Sequence, residues 1–251
     1  MEILEAIING INIDAPVKEV RKGIFWTAVV SRFCGLSSTM LREYRTDEAM
    51  DEAIPASLTE MSALDLARLS FSDDISKASL GLAAVNSLID IDGSRIVEIN
   101  AGDLLVRVGA GKNVSVIGHF PFTDDLKKAT KNLWVIEKWQ RSGDYPEDDA
   151  GQYLPQSDIV AISSTTLINH TLSGLLRLCP EKSMKMLLGP TTPMATALFD
   201  CGVDIISGSK VIDEGTALRH ISEGANFRQL KRTGSVRLIT MMRADTISAI
   251  T

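Results

Sequence analysis

Four short stretches put chemically useful residues directly after apolar runs. They are "VIGHFPF" with Gly118, His119 and Phe120, "VIEKW" with Glu137, "ISSTTLINHT" with Thr165, Thr166, Asn169 and Thr171, and "LLGPTT" with Gly189, Pro190 and Thr191. A glycine at such a point lets the backbone turn sharply and lets a ligand approach it closely. Glu137 follows Gly118 by 19 residues, 137 minus 118, near the offset at which an acid meets a ribose hydroxyl in nucleotide-binding sheets. An adenosine-containing ligand would use it. A carboxylate solvated at a strand end, or paired with Lys138 or Arg141, is the competing reading. Ser163, Ser164, Thr165 and Thr166 supply four hydroxyls at one turn and Asn169 an amide, a set suited to an anion or a polar ligand. Helix capping explains one hydroxyl, not four. The same logic repeats at Gly189 and Pro190, where Thr191 or Thr192 is either a site residue or the cap of a helix entered by Pro193.

Other chemistries find less support. The histidines 119, 170 and 220 and the cysteines 34, 179 and 201 show no CxxC, HxxxH or HExxH spacing, so no direct metal site is expected. His119 and His170 do fall on one expected sheet edge, which allows a shared site. In "GAGKNVSVIG" the glycines precede the strand and Val114 stands where a third glycine would, so the stretch is a turn and not a dinucleotide motif. No nucleophile elbow is visible. Glu137 would act as a general base only if burial raised its pKa toward neutrality.

The elements that must position these residues follow from the punctuation. After residue 112, the apolar runs "VSVIG", "LWVIE", "DIVAIS", "MKMLLG" and "VDIISG" alternate with helix-length segments, the pattern of a doubly wound parallel sheet buried on both faces. "SVRLITMM" adds an expected edge strand. The long stretch "KWQRSGDYPEDDAGQYLPQS" is expected as an unstructured lid or binding loop. Before it, "VRKGIFWTAVVS" and "TMLREYRT" suggest an antiparallel pair, followed by two amphipathic helices, an α+β pattern. Glycines and acids between residues 90 and 112 place the division near residue 105, giving units 1–105 and 106–251.

Composition sets the remaining bounds. With 251 residues, 45% hydrophobic, the chain can bury a full core. Its net charge of -6, with 26 scattered Lys and Arg, offers no basic stripe for nucleic acid. The acidic start "MEILEAIING" and the lack of a long apolar run predict a cytoplasmic protein with no membrane partner. A homo-oligomer is compatible with everything above.

Taken together, "GLAAVNSL", "VIGHFPF", "VIEKWQRSGDYPEDDA", "LPQSDIVAISSTTLINHTL", "LLGPTTPM" and "CGVDIISGSKVID" resemble the heavy-metal-chelation family, over nearly the whole chain. The resemblance implies an enolase N-terminal-like first domain, a Rossmann-like second domain and a site between them. It also implies a role in making or handling chelators such as pterin-, flavin- or siderophore-like molecules. Its motif positions fall on Asn86, Gly118, Phe120, Pro121, Glu137, Thr165, Thr166, Asn169, Thr171, Gly189 and Pro190, whereas His119 and His170 sit at varying positions. Asn86, among small and apolar residues, either bonds to backbone or reaches an interdomain ligand. The chain is thus expected to bind a small molecule, as an enzyme that condenses, hydrolyses or modifies a chelator, or as a binding module without turnover. Fold analogy adds an adenosylmethionine-dependent methyltransferase as a third reading.

Overall fold

The structure, a computed structural model, describes residues 1–40 and 57–250, with side chains to residue 247. The amino-terminal portion holds α1 (Glu2–Asn9), strands β1 (Glu19–Lys22), β2 (Trp26–Val30) and β3 (Cys34–Ser38), then α2 (Ala63–Ala67) and α3 (Ile75–Leu88). The strands form an antiparallel sheet in the order β1-β2-β3, with Glu19 opposite Val30 and Val30 opposite Cys34. This corrects the expected pairing. "VRKGIFWTAVVS" is not one strand but a hairpin, closed where the Gly23 N–H donates to the Trp26 carbonyl at 2.8 Å. The third strand is "CGLSS", and "TMLREYRT" lies outside the described residues from Leu41 onward.

The rest of the chain runs β4 (Ile96–Val97), α4 (Ala101–Gly109), β5 (Asn113–Ile117), α5 (Thr123–Ala129), β6 (Asn132–Glu137), β7 (Tyr145–Pro146), α6 (Ala150–Tyr153) and β8 (Ile159–Ser163). It continues through α7 (Leu172–Leu178), β9 (Met184–Leu188), α8 (Ala197–Asp200), β10 (Ile205–Val211), α9 (Glu214–Ser222), α10 (Phe227–Arg232), β11 (Val236–Met242) and α11 (Ala244–Ile250). Eight strands form one mostly parallel sheet in the order β4-β11-β10-β9-β8-β5-β6-β7, so the protein is a mixed α/β structure. β11 is antiparallel to β10 and is not an edge strand, because β4 pairs with its far side. Residue 105 falls inside α4, whose N-cap Asn100 accepts from the backbone of Gly102 and Asp103. The segment after β6 is also structured. It contains β7, α6 and two short 3-10 turns, since Tyr145 and Pro146 find ladder partners in Ile136 and Glu137.

Strand order creates one special position. From β5 the chain moves outward to β6 and β7, then returns across β5 to β8 and continues to β9 and β10. The connections therefore leave β5 and β8 in opposite directions, and their carboxyl ends mark the position at which open α/β sheets receive ligands.

Packing explains the uniformly apolar runs. On β8, Val160 and Ile162 join a core with α1, α3 and α7, while Ile159 and Ala161 join a second core with α4 and α5. On β9, Leu187 belongs to the first core and Met186 and Leu188 to the second. Each large side chain buried this way contributes roughly 1.5–3 kcal/mol, which is why both faces of these strands must be apolar. The small sheet is covered twice as well. Val29 faces the first core with α3, whereas Trp26, Ala28 and Val30 pack with Ala217, Leu218 and Ile221 of α9. Among the described residues, no helix is long and apolar enough to cross a membrane.

Candidate functional site

Four of the sequence-predicted turns meet along the carboxyl edge. Gly118 ends β5 with φ +103°, and its N–H donates to the Ile136 carbonyl at 3.1 Å, which places it beside the end of β6 and Glu137. A Cβ on Gly118 would stand 2.9 Å from the Ser163 Cβ, so the glycine is required both by its dihedral and by the neighbouring strand. Across this contact, the Ser163 and Thr165 hydroxyls lie 2.9 Å apart, both half-buried, with hydrogen-bonding capacity to spare. Thr166 does a different job. Its hydroxyl donates to the Ser163 carbonyl at 2.7 Å and locks the turn. Gly189, with φ +126°, stands next in line, since a Cβ there would sit 3.0 Å from Ser164 Oγ. Glu137 is half-buried, and among the described residues it forms no ion pair with Lys138 or Arg141. Its Oε2 accepts the Lys138 N–H at 3.1 Å, leaving Oε1 free for a ligand donor.

The amino-terminal portion closes this edge through two polar clamps. Asn86 Nδ2 donates to the Leu36 carbonyl at 2.7 Å and to the Thr191 carbonyl at 2.9 Å. Thr191 Oγ1 accepts the Ser38 N–H at 2.9 Å and lies 3.0 Å from Ser38 Oγ. Thr191 is therefore a seam residue and caps no helix. Thr192 donates to the Gly189 carbonyl at 2.7 Å, and α8 starts only at Ala197 instead of at Pro193. Pro190 accepts from Ser209 Oγ at 2.9 Å, which holds β10 against the same turn.

His119 brings in a partner that the sequence did not suggest. Its Nε2 lies 2.7 Å from Asp144 Oδ2, and the same oxygen accepts the Arg141 N–H at 2.7 Å. The Asp144 side chain is only 6% exposed, so its hydrogen bonds decide its charge. Burial raises its carboxyl pKa. The Arg141 backbone N–H and the His119 hydrogen bond, with the positive charge of the Arg141 guanidinium, outweigh burial and hold it below the usual carboxylate range. A depressed carboxylate contributes stability above the unfolded-state pKa and loses that contribution as pH falls through its folded value. Asp144→Asn is accordingly expected to destabilise the protein at pH 7. The gap from wild type should narrow in urea unfolding as pH falls below about 4, the unfolded-state value of an aspartate; a gap independent of pH would contradict this assignment.

Other candidates are not gathered into the same edge. Asn169 and Thr171 are exposed, and Asn169 Oδ1 accepts from Thr171 Oγ1 at 2.7 Å and Thr171 N at 3.3 Å. Asn169→Ala should cost about 0.5–1 kcal/mol of stability by urea unfolding, the worth of one local exposed hydrogen bond; a loss above about 2 kcal/mol would mean it supports more than this turn. His170 adopts φ +60°, and its Nε2 meets the Ser72 carbonyl at 3.0 Å, so the two histidines do not share a site. With Thr171 it lines a separate open cavity of about 670 Å³ between α6 and α7. Phe120 stacks on Phe122 at 5.1 Å and packs against the second core, a structural use of the ring.

The thiols do not fit a heavy-metal site. Cys34 packs against the α9 side of the small sheet, while Cys179 and Cys201 pack against the first core. Burial pushes the Cys34 thiol up to about 12 and Cys179 up to about 11, and burial likewise raises Cys201. Soft-metal binding needs thiolates, which these environments oppose. Among the described residues, no group of three or more His, Cys, Asp and Glu could hold a metal ion.

Sequence reasoning missed Asp144 and Ser38 as partners of the edge. The turn "RSGD" carried a usable signal. Gly143 has φ +94° and the Asp144 N–H donates to the Arg141 carbonyl at 3.0 Å, a turn whose third position favours glycine.

Two family models match, each described as "Putative heavy-metal chelation", over residues 4–89 and 100–240. An uncharacterized protein of Methanocaldococcus jannaschii is 31% identical over 223 residues, covering 82% of this chain and 80% of that one. A crystal structure of a protein of unknown function from Desulfitobacterium hafniense superposes with a TM-score of 0.81 at 26% identity, covering 96% of this chain and 98% of that one. Another, from Pyrococcus horikoshii, gives 0.78 at 21% identity, with the same coverage, and speaks for the fold alone.

Proposed function

The chain belongs to the heavy-metal-chelation family, and we propose that it binds a small organic chelator, a pterin-, flavin- or siderophore-like molecule, at the carboxyl edge of its large sheet. One observation carries this reading. Gly118 and Ser163 meet at the point where strand order reverses, and the Ser163–Thr165 hydroxyls and the Glu137 carboxylate lie beside them with unused hydrogen-bonding capacity. Pterins, flavins and many chelators present alternating ring N–H and C=O groups, which such hydroxyls and a carboxylate complement.

The domain assignments belong to the same proposal. The strand order supports a Rossmann-like second unit, and three antiparallel strands followed by helices support an enolase N-terminal-like first unit, the two divided near residue 105. Heavy metal enters this scheme only as the ligand's cargo. The protein's own part is to hold the organic frame through hydroxyl, carboxylate and backbone groups, in the cytoplasm.

Mass spectrometry of small molecules released from the purified protein tests the reading. A bound heteroaromatic or hydroxamate-type compound is expected. Tight stoichiometric metal uptake by ligand-free protein, abolished when Cys34, Cys179 and Cys201 are all changed to Ser, would replace it with direct thiolate chelation.

A further inference from the structure

The His119–Asp144 pair invites a question about what it supports. Burying a carboxylate costs several kcal/mol unless it is well paired, by about the amounts seen for buried ions, and an apolar contact would anchor a surface turn more cheaply. Asp144 instead accepts both the His119 ring and the Arg141 backbone through one oxygen. The other ring nitrogen, His119 Nδ1, lies 3.5 Å from Arg141 Nη1. A guanidinium only donates, so Nδ1 is the acceptor and Nε2 carries the proton given to Asp144. The arrangement fixes ring, turn and guanidinium together.

Arg141 is thereby presented and not consumed. Its side chain is exposed, and among the described residues its one side-chain hydrogen bond, at 3.5 Å, is at the limit of length. A guanidinium carries five N–H donors in a planar fork, so four remain for another partner, and that geometry matches carboxylate or phosphate oxygens. It stands beside His119, the residue after Gly118, in the loop that follows Glu137 and leads from β6 to β7.

From this geometry we infer that Arg141 is a specificity-determining residue that receives an acidic group on the ligand, with His119 and Asp144 as its positioning residues. The ligand is then a planar heteroaromatic molecule bearing one oxyanion, its ring held by Glu137 and the Ser163–Thr165 hydroxyls and its acid held by Arg141. This rests on the reading of the carboxyl edge as the binding site.

Calorimetric titration with two matched pairs tests it: pterin against 6-carboxypterin, and riboflavin against flavin mononucleotide. Within each pair the ring is shared and only a carboxylate or a phosphate is added. The acid-bearing member of at least one pair should bind tenfold or more tightly than its partner, and which pair responds separates a carboxylate ligand from a phosphate ligand. Arg141→Gln should remove that preference, lowering the acid-bearing member's affinity to that of its neutral partner. Asp144→Ala should weaken the preference in the same direction, and unchanged melting of Arg141→Gln would exclude misfolding as the cause. Binding of the rings with no acid preference, or a preference that survives Arg141→Gln, overturns the inference and leaves the edge as the site. If none of the four binds the wild-type protein, the ligand class falls and the inference falls with it.

Discussion

Gly118→Ala is expected to lower stability by about 2–4 kcal/mol, combining the cost of a side chain at a backbone conformation reserved for glycine with a core-like clash. The φ of +103° is outside the region that L side chains adopt, and the added methyl would stand 2.9 Å from the Ser163 Cβ. Neither conflict can be relieved locally. The Gly118 N–H is held by the Ile136 carbonyl, and Ser163 ends a strand whose next residue, Ser164, is buried against Gly189. Urea unfolding at neutral pH measures the loss. A change below about 0.5 kcal/mol, the range of ordinary surface substitutions, would show that the turn is slack and that the carboxyl edge is not fixed by this contact.

The second large effect belongs to Asn86→Asp, which should cost about 3–5 kcal/mol at neutral pH, as for a partly buried charge left without a partner. Asn86 now gives both amide hydrogens to carbonyl oxygens, one on β3 and one in the Thr191 turn. A carboxylate would instead face two acceptors. Asn86→Ala leaves those carbonyls unpaired without adding charge, and should cost less, about 1–3 kcal/mol. The two variants differ in pH dependence. Burial and two facing acceptors raise the pKa of the aspartate in the folded variant, so it should recover part of its loss as pH falls from neutral to about 4, where the acid is neutral and can donate one hydrogen bond. Equal losses for Ala and Asp at every pH would mean that water has replaced the clamp. Measured together, the variants report how firmly the amino-terminal portion is tied to the large sheet.

Much of this layout was legible in the residues, for a physical reason. β5, β6, β8, β9 and β10 are covered on both faces, and such strands must be apolar throughout, so their ends could be placed and the turns after them found. The hairpin in the first strands was hidden because its tip is itself apolar. Ile24 is 69% exposed and Phe25 48% exposed, where a turn would ordinarily be marked by polar residues. Thr191 reads as a cap in sequence because Pro193 follows it. Its hydroxyl is instead used by Ser38, 153 residues earlier, a partner that no local pattern can reveal. The same holds for Asp144. Its neighbours mark a turn, but only the fold brings His119 to its carboxylate, and only burial makes that meeting consequential.

The most direct test of the binding site is an NMR titration of isotope-labelled protein with 6-carboxypterin, followed at every backbone amide. Saturable shifts are expected together at Gly118, His119, Glu137 and Ser163 to Thr166, with Gly151, Ser173 and Arg177 unmoved. Saturable shifts confined to Gly151, Ser173 and Arg177 would place the ligand in the open cavity between α6 and α7 and would contradict binding at the carboxyl edge.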